Sequence, residues 1–472
     1  MLSHLIRKEI LDQITGPRFL ILAVLGAVLV WLSLYAGYAT HRDRVEEYRL
    51  AQKAAEERIR DLDRIQDWNE FFQEGYLVHK PPVPLSLFVR GLDPTLGRSI
   101  PLRSRVRDFQ WSPASVHPIL GVFPRLDLVL VVQLVLSLFV VLLTYDAVCG
   151  EKERGTLSLI ASHPVPKHRL LLSKLIGALA TLLAAFGLPL FVGISVVLLL
   201  PFSDLGSGDL FRLAMIIVVL ALYLCVFACA GLLASSLTHR APTAFVLLLA
   251  FWVATVIGLP RLSLVVASGV RPPPSSHLAE AEKAILYNDH LQKRLDMHAV
   301  WRQEHPGWRD TPEGRDAHSA YFQWTREHFG EIRSQENDRI DEAFRNRRRA
   351  WLSLATSLAR LSPAFAVNNA SVALAATGVD RHQRFSDRVR EHGKTHLGWV
   401  IDSKNRARQQ QANPETHGEY RWDISDMPRF VHPQPGTDAD VSTCLLDVSL
   451  LALWALLLFS GAFVAVLRYD LR

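Results

Sequence analysis

The chain has 472 residues, 49% of them hydrophobic, and a formal net charge of +6. The apolar residues gather in nearly charge-free blocks of about 18–26 residues, the length that crosses a bilayer as helix. A mild positive balance on such a chain excludes a nucleic-acid footprint and reads as membrane-side and solvated surface charge. All four cysteines, Cys149, Cys225, Cys229 and Cys444, lie in or beside apolar blocks, which excludes a secreted disulfide framework.

Residues 1–17 read as an amphipathic helix. Leu2, Leu5, Ile6, Ile10 and Ile14 share one face, Arg7, Lys8 and Asp12 lie elsewhere, and Gly16-Pro17 ends it. A helix of this kind directly before a span is expected to lie in the cytoplasmic interface, and no A-x-A site follows to make it a signal peptide. Residues 18–40 hold the first span, free of charge from Phe19 to Ala39. Residues 41–126 then leave the membrane. They begin as a charged helix from His41 to Phe72, pass through the extended Lys80-Pro81-Pro82-Val83-Pro84, and continue with Leu85-Ser86-Leu87-Phe88-Val89 as a strand. Residues 127–146 are the second span.

Residues 147–174 are basic and break into two helices. The first is expected from Ala147 to Ser162, Pro164 and Pro166 interrupt it, and the second starts near Lys167. Residues 175–200 are the third span, kinked at Gly187-Leu188-Pro189. Residues 211–237 and 242–260 are the fourth and fifth, joined by the short turn Thr238-His239-Arg240. Residues 261–443 leave the membrane again as a helical domain. Its helices are expected near 277–303, 315–361, 364–376 and 380–392, with a core of Trp301, Trp308, Tyr321, Phe322, Trp324, Phe329, Phe344 and Trp351. Residues 444–467 are the sixth span and 468–472 a short tail. The fold class is therefore mainly α: a polytopic membrane protein with six transmembrane helices and two mostly helical extracytoplasmic insertions. The short basic segments, Arg7, Lys8, Lys152, Arg154, Lys167, Arg169, Lys174, Arg240, Arg468 and Arg472, all fall on one side, so both termini are expected in the cytoplasm.

A span ending in Tyr145-Asp146, followed by Gly150-Glu151-Lys152-Glu153-Arg154-Gly155-Thr156-Leu157, a proline turn and a basic helix, resembles the ABC type-2 permeases. The likeness is to six-span exporter permeases with large periplasmic inserts, related to those of gliding motility and nitrous-oxide-reductase maturation. KPPVPLSLFVRGLD and LSPAFAVNNASVALA resemble the corresponding places in that group. The resemblance implies that residues 147–174 are the coupling segment, that 1–17 is an elbow helix, and that both touch a separate ATP-binding-cassette ATPase. The ATPase-coupling residues it points to are Glu151, Lys152, Glu153, Arg154, Arg7 and Lys8. The competing reading of Glu151 and Arg154 is a plain i, i+3 pair anchoring a helix end. The resemblance also implies a second permease copy or paralogue, membrane lipid, a possible periplasmic protein partner and the bacterial inner membrane.

No catalytic set, cofactor site or metal site is expected in this chain; ATP and Mg belong to the partner. Gly150 and Gly155 have P-loop spacing without the lysine that follows, and Gly393-Lys394-Thr395 has Arg388 where the earlier glycine belongs. Between their ends the six apolar blocks hold no Asp, Glu, Lys, Arg or His, which argues against an ion-driven carrier. His392 and His396 are i, i+4 beside Glu391 and read as packing residues rather than ligands. Cys225 and Cys229 read likewise. The basic run Arg345-Asn346-Arg347-Arg348-Arg349 is a solvated or headgroup-facing surface, or a site for an acidic partner. Leu361 to Ala370 is either a surface-lying amphipathic segment or a packing helix. The function expected is the permease subunit of an ATP-driven exporter; the alternative is a mechanotransmitter of the same fold acting on a periplasmic partner.

Overall fold

The computed structural model describes residues 2–62, 76–92, 96–102, 126–156, 166–201, 205–411, 425–431 and 437–468. The protein is a mainly α, polytopic membrane protein. Among the described residues six helices are long and apolar enough to span a bilayer: Phe19–Asp61, Leu128–Glu153, Lys167–Leu199, Ser207–Leu237, Ala241–Val270 and Cys444–Arg468. The chain divides into two compact units, Met1–Gly258 with Leu361–Arg472, and Leu259–Arg360.

In the first unit, α1 (Leu2–Ile14) closes with Gly16 N–H donating to Gln13 O at 3.3 Å. α2 (Pro17–Leu62) opens on a proline, at a position where no N–H is needed. The span and the charged helix expected after it are one 46-residue helix. No Gly or Pro lies between Ala39 and Leu62, and the Ala, Glu, Arg and Lys there are strong helix formers. The expected end at Phe72 lies outside the described residues.

The strand expected at 85–89 is instead a 3₁₀ turn, Pro84–Leu87. Pro84 fixes the helical φ at its start, and Leu85, Leu87, Phe88 and Val89 are all buried, so no in–out alternation exists to favour a strand. The turn plugs into the span bundle so closely that a Cβ on Gly37 would sit 2.0 Å from Leu87 O. The ribbon lies on either side of it: β1 (Tyr76–His79) pairs antiparallel with β2 (Ser99–Leu102), Tyr76 opposite Leu102. Tyr76, Val78, Ile100 and Leu102 pack with Phe385 and Val389.

Three spans carry π-helical turns that periodicity does not reveal. α3 (residues 128–144) contains Val131–Leu136, and α5 (Lys167–Leu199) contains Leu183–Gly187. α6 (Ser207–Leu237) is regular; α7 (Ala241–Val253) runs into Ala254–Gly258. Both Leu183–Gly187 and Ala254–Gly258 end on Gly-Leu-Pro, Gly187-Leu188-Pro189 and Gly258-Leu259-Pro260. Proline offers no N–H to the carbonyl four residues back, and a π turn shifts the ladder where that donor is missing. The helical run therefore passes Pro260 and reaches Val270, beyond the exit expected at residue 260.

α6 is the centre of the first unit. It is apolar all round, and Ile216, Val219, Tyr223, Val226, Phe227, Ala228 and Leu232 are buried. A Cβ on Gly231 would lie 1.9 Å from Thr144 Oγ1, so α6 and α3 touch backbone to side chain there. Cys229 is buried and Cys225 half-buried in the same core.

The domain expected over 261–443 divides. The second unit contains α8 (Leu259–Val270), α9 (Ser276–Glu304) and α10 (Pro312–Ala359). α9 and α10 form an antiparallel hairpin, tied by Lys283–Asp341 at 2.6 Å and by His298 Nε2 to Thr325 Oγ1 at 3.2 Å. Trp301 is buried between His305 and Tyr321, with ring centroids 4.4 and 5.5 Å away. Phe322 and Trp324, expected in the core, are 44% and 51% exposed. Arg347, Arg348 and Arg349 are exposed on α10.

α11 (Pro363–Leu374) and α12 (Val379–Gln411) belong to the first unit. α11 is a packing helix: Ala364, Ala366, Val367 and Ala370 are buried, and small side chains let it press against α6 and α13 (Thr437–Arg468). Ser362 caps it, accepting from Phe365 N at 3.2 Å and donating to Thr255 O at 2.5 Å. α12 runs past His392, because one Gly393 costs a helix only about 1 kcal/mol.

Candidate functional site

At the end of the spans where α1 lies, the segment after Tyr145 forms a hub. The chain turns through residues 145–148 into α4 (Cys149–Glu153). The longer helix expected from Ala147 stops here. Gly155 has φ of +69°, the left-handed region that closes helices and that glycine enters without strain. Residues 157–165, including Leu157 and Pro164, lie outside the described residues. α5 begins at Lys167 behind Pro166, where the restart is expected.

The amides at the start of α4 have a partner outside their own helix. Val148 N and Cys149 N both donate to Ser235 Oγ near the end of α6, at 2.8 and 2.9 Å. The orphan donors of a helix start are thereby satisfied from a neighbouring span. Lys152 reaches the other way. Its Nζ donates to the carbonyls of Ser236 and Thr238, the latter at 3.0 Å, at the negative end of α6. Glu153 Oε1 accepts from Ala241 N at 3.0 Å, at the positive start of α7. Adjacent side chains thus hold both sides of the turn between α6 and α7. Lys167 Nζ donates to Val466 O at 3.2 Å, which ties the start of α5 to the end of α13.

A buried ionic chain joins this hub to α1. Lys174 on α5 is 2% exposed and lies 3.1 Å from Glu9 Oε1 and 2.8 Å from Glu151 Oε1. Lys8, 49% exposed, lies 3.6 Å from the same Glu151 oxygen. Charges alternate Glu9, Lys174, Glu151, Lys8 and sum to zero, so each buried charge has an opposite neighbour. α1 sits close enough on α5 that a Cβ on Gly177 would meet Glu9 Cβ at 2.8 Å.

The sequence-derived site residues therefore divide. Glu151, expected among the surface charges, is 6% exposed and faces inward. Its partner is Lys174 rather than Arg154, whose Nε instead donates to Gly150 O at 2.9 Å. Lys152 and Glu153 grip the α6–α7 turn. Arg7 and Arg154 are exposed, and Lys8 is half in the network and half in solvent. Glu9 and Ser235 were not legible as site residues. Glu9 leaves one signal, a carboxylate between Ile6 and Ile10 on the inward face of α1.

The two histidines weighed as ligands lie elsewhere in the first unit. His392 and His396 are 6.5 Å apart by ring centroid, and His396 stands edge-on to Tyr76 at 5.8 Å. Burial and the neighbouring His392 push the His396 imidazole down to about 4. Among the described residues no group of three or more His, Cys, Asp and Glu is placed to hold a metal ion.

A family model described as ABC-2 family transporter protein matches residues 4–295, a stretch that includes every residue of the hub except Val466. A second, described as a domain of unknown function (DUF3526), matches residues 280–433. Among curated proteins none matches the chain.

Proposed function

The chain belongs to the ABC-2 family of transporter proteins, and from that premise we propose that it is the membrane half of an ATP-driven exporter, worked by a separate nucleotide-binding chain. It is a transmembrane permease of an ABC transporter and a non-catalytic subunit. ATP and Mg are bound by the partner. The end bearing α1 and α4 faces the cytoplasm of the bacterial cell and carries both termini, in line with its short basic segments. The parts between α2 and α3, and between α7 and α13, face the periplasm. A second copy or a paralogue, together with lipid, covers apolar side chains such as Ile21, Val24 and Tyr35, which are exposed on α2.

The observation that carries this reading is the hub. α4 is fixed by backbone hydrogen bonds to α6 and by side chains to α5, α7 and α1. A partner pressing on exposed Arg7, Lys8, Glu153 and Arg154 would act on five helices at once, without crossing flexible chain. Coupling needs such contiguous contacts between rigid elements.

The test is affinity purification of the full chain from its native membrane, with mass spectrometry of the co-purifying proteins. An ATP-binding-cassette chain in near-equal amount is expected, and Arg7→Glu with Arg154→Glu should release it, since both side chains are exposed and their reversal leaves the buried network intact. Absence of an ATPase under every nucleotide condition would end the proposal. ATP hydrolysis stimulated by a periplasmic protein alone, with no cargo dependence in liposomes, would favour a mechanotransmitter over an exporter.

A further inference from the structure

The second unit contains a cavity of about 400 Å³ on the seam between α9 and α10. Three arginines line it, Arg294 from α9 and Arg326 and Arg333 from α10, and no carboxylate does. Three like charges around one small space repel one another unless an anion sits between them. The nearby acid, Glu336, lies with Oε2 3.2 Å from His290 Nε2 and is not one of the residues that line the cavity. Arg333 Nε is buried without a hydrogen-bond partner, while its guanidinium carbon lies 5.2 Å from the centre of the Tyr287 ring. A buried donor left unmade is costly, and Arg333 is one of the residues that line the cavity.

The rest of the wall is aromatic. Tyr287, Phe322 and Phe329 line the same cavity, and Tyr287 and Phe322 are nearly half exposed at its mouth. Gly330 opens the wall further: a Cβ built there would meet nothing within 4 Å. Glycine inside a 48-residue helix costs about 1 kcal/mol against alanine, and what the sequence gains in return is this space. The volume falls in the range of ligand pockets, roughly 300–1,000 Å³, and is far larger than inorganic phosphate needs.

We propose that this cavity binds an organic anion, its phosphate or carboxylate seated among Arg294, Arg326 and Arg333 and its apolar or ring body lying against Tyr287, Phe322 and Phe329. Arginine forks suit such oxyanions because they donate two parallel hydrogen bonds. The anion can come from the membrane, as a lipid headgroup, or from solution, as a ring-bearing phosphate. The site stands whether or not an ATPase works the chain.

The test uses the full chain in nanodiscs of phosphatidylcholine, with titration calorimetry of four probes: dihexanoyl phosphatidic acid, dihexanoyl phosphatidylcholine, naphthyl phosphate and inorganic phosphate. Saturable binding of phosphatidic acid or naphthyl phosphate is expected, weakened at least tenfold by Arg333→Gln and abolished by Gly330→Leu. Leucine is the better helix former, so the Gly330→Leu chain should keep its thermal midpoint while its side chain fills the cavity. Tighter binding of the acyl probe assigns the lipid source, and tighter binding of the ring probe the soluble one. The proposal is overturned if no anionic probe binds, if the neutral lipid or inorganic phosphate binds as tightly, or if Gly330→Leu leaves binding unchanged.

Discussion

Replacing Lys174 by methionine probes the ionic chain at its centre. The ammonium lies 2.8 Å from Glu151 and 3.1 Å from Glu9, and at an effective dielectric of about 20 those distances give roughly 11 kcal/mol of attraction. Most of that offsets the dehydration of the buried charges. Removing the central cation leaves two carboxylates facing each other, with only half-exposed Lys8 nearby. Breaking a buried pair in this way costs about 3–5 kcal/mol. The cost should fall on the docking of α1, for which no other polar tie of this strength is present among the described residues. At about 1.4 kcal/mol per tenfold, the amides of residues 5–13 should exchange roughly 100- to 3,000-fold faster in Lys174→Met, as read by hydrogen exchange in detergent. The triple variant Glu9→Met, Lys174→Met, Glu151→Met removes every buried charge and should return to within about 1 kcal/mol of the parent, since apolar replacement of a whole buried network is often neutral. Protection of α1 within tenfold of the parent in Lys174→Met, or a triple variant as open as the single one, would refute the reasoning.

Ser235→Ala removes the shared acceptor of the Val148 and Cys149 amides and should cost about 1–3 kcal/mol. In a chain whose sole cysteine is the fully buried Cys149, maleimide labelling should then rise, and unchanged labelling would count against the capping role. Gly37→Ala places a methyl 2.0 Å from a backbone oxygen that cannot rotate away; a loss of about 1–3 kcal/mol, seen as a lower thermal midpoint, is expected. His396, held neutral to about 4 against an ordinary 6.5, makes packing on the ribbon depend on pH. The unfolded chain binds a proton below 6.5 that the folded chain refuses, so stability is full above 6.5 and falls by roughly 3 kcal/mol as pH drops to 4. Exchange in Tyr76–His79 should quicken across that window, and His396→Phe should shrink the change, leaving the part due to His79 and His392, which burial also holds neutral below the ordinary value.

Six spans and the break at Gly16-Pro17 were legible because length, hydropathy and proline placement are local properties of a sequence. Partnership was not. Nothing near Glu151 distinguishes Arg154, three residues on, from Lys174, twenty-three residues on; only the docking of α1 and α5 does. Lys152 and Glu153 show the same limit, since their acceptor and donor lie on a turn more than eighty residues away. Proline led the reading astray in both directions. Lys80 to Pro84 suggested extended chain onward, whereas Pro84 starts a 3₁₀ turn, and Pro260 suggested an exit, whereas a π turn carries the helix past it. The small residues of 363–374 looked equally fit for a membrane surface, and burial against α6 and α13 decided the matter.

The twin Gly-Leu-Pro turns alter what a span can be in this protein. Each wide turn holds one residue more than an α-helix of the same reach. If the turn tightened to α while keeping that residue, the rod would lengthen by about 1.5 Å and everything beyond it would swing through about 100°. In α5 such a tightening within Leu183–Gly187 would leave Lys174 and its hold on α1 in place and re-aim Leu188–Leu199 by more than a quarter turn. In the fifth span the same joint falls at Gly258, where one compact unit of the chain gives way to the next. The azimuth of Leu188–Leu199 is therefore set locally, by five residues, and is not inherited from the end that the hub grips.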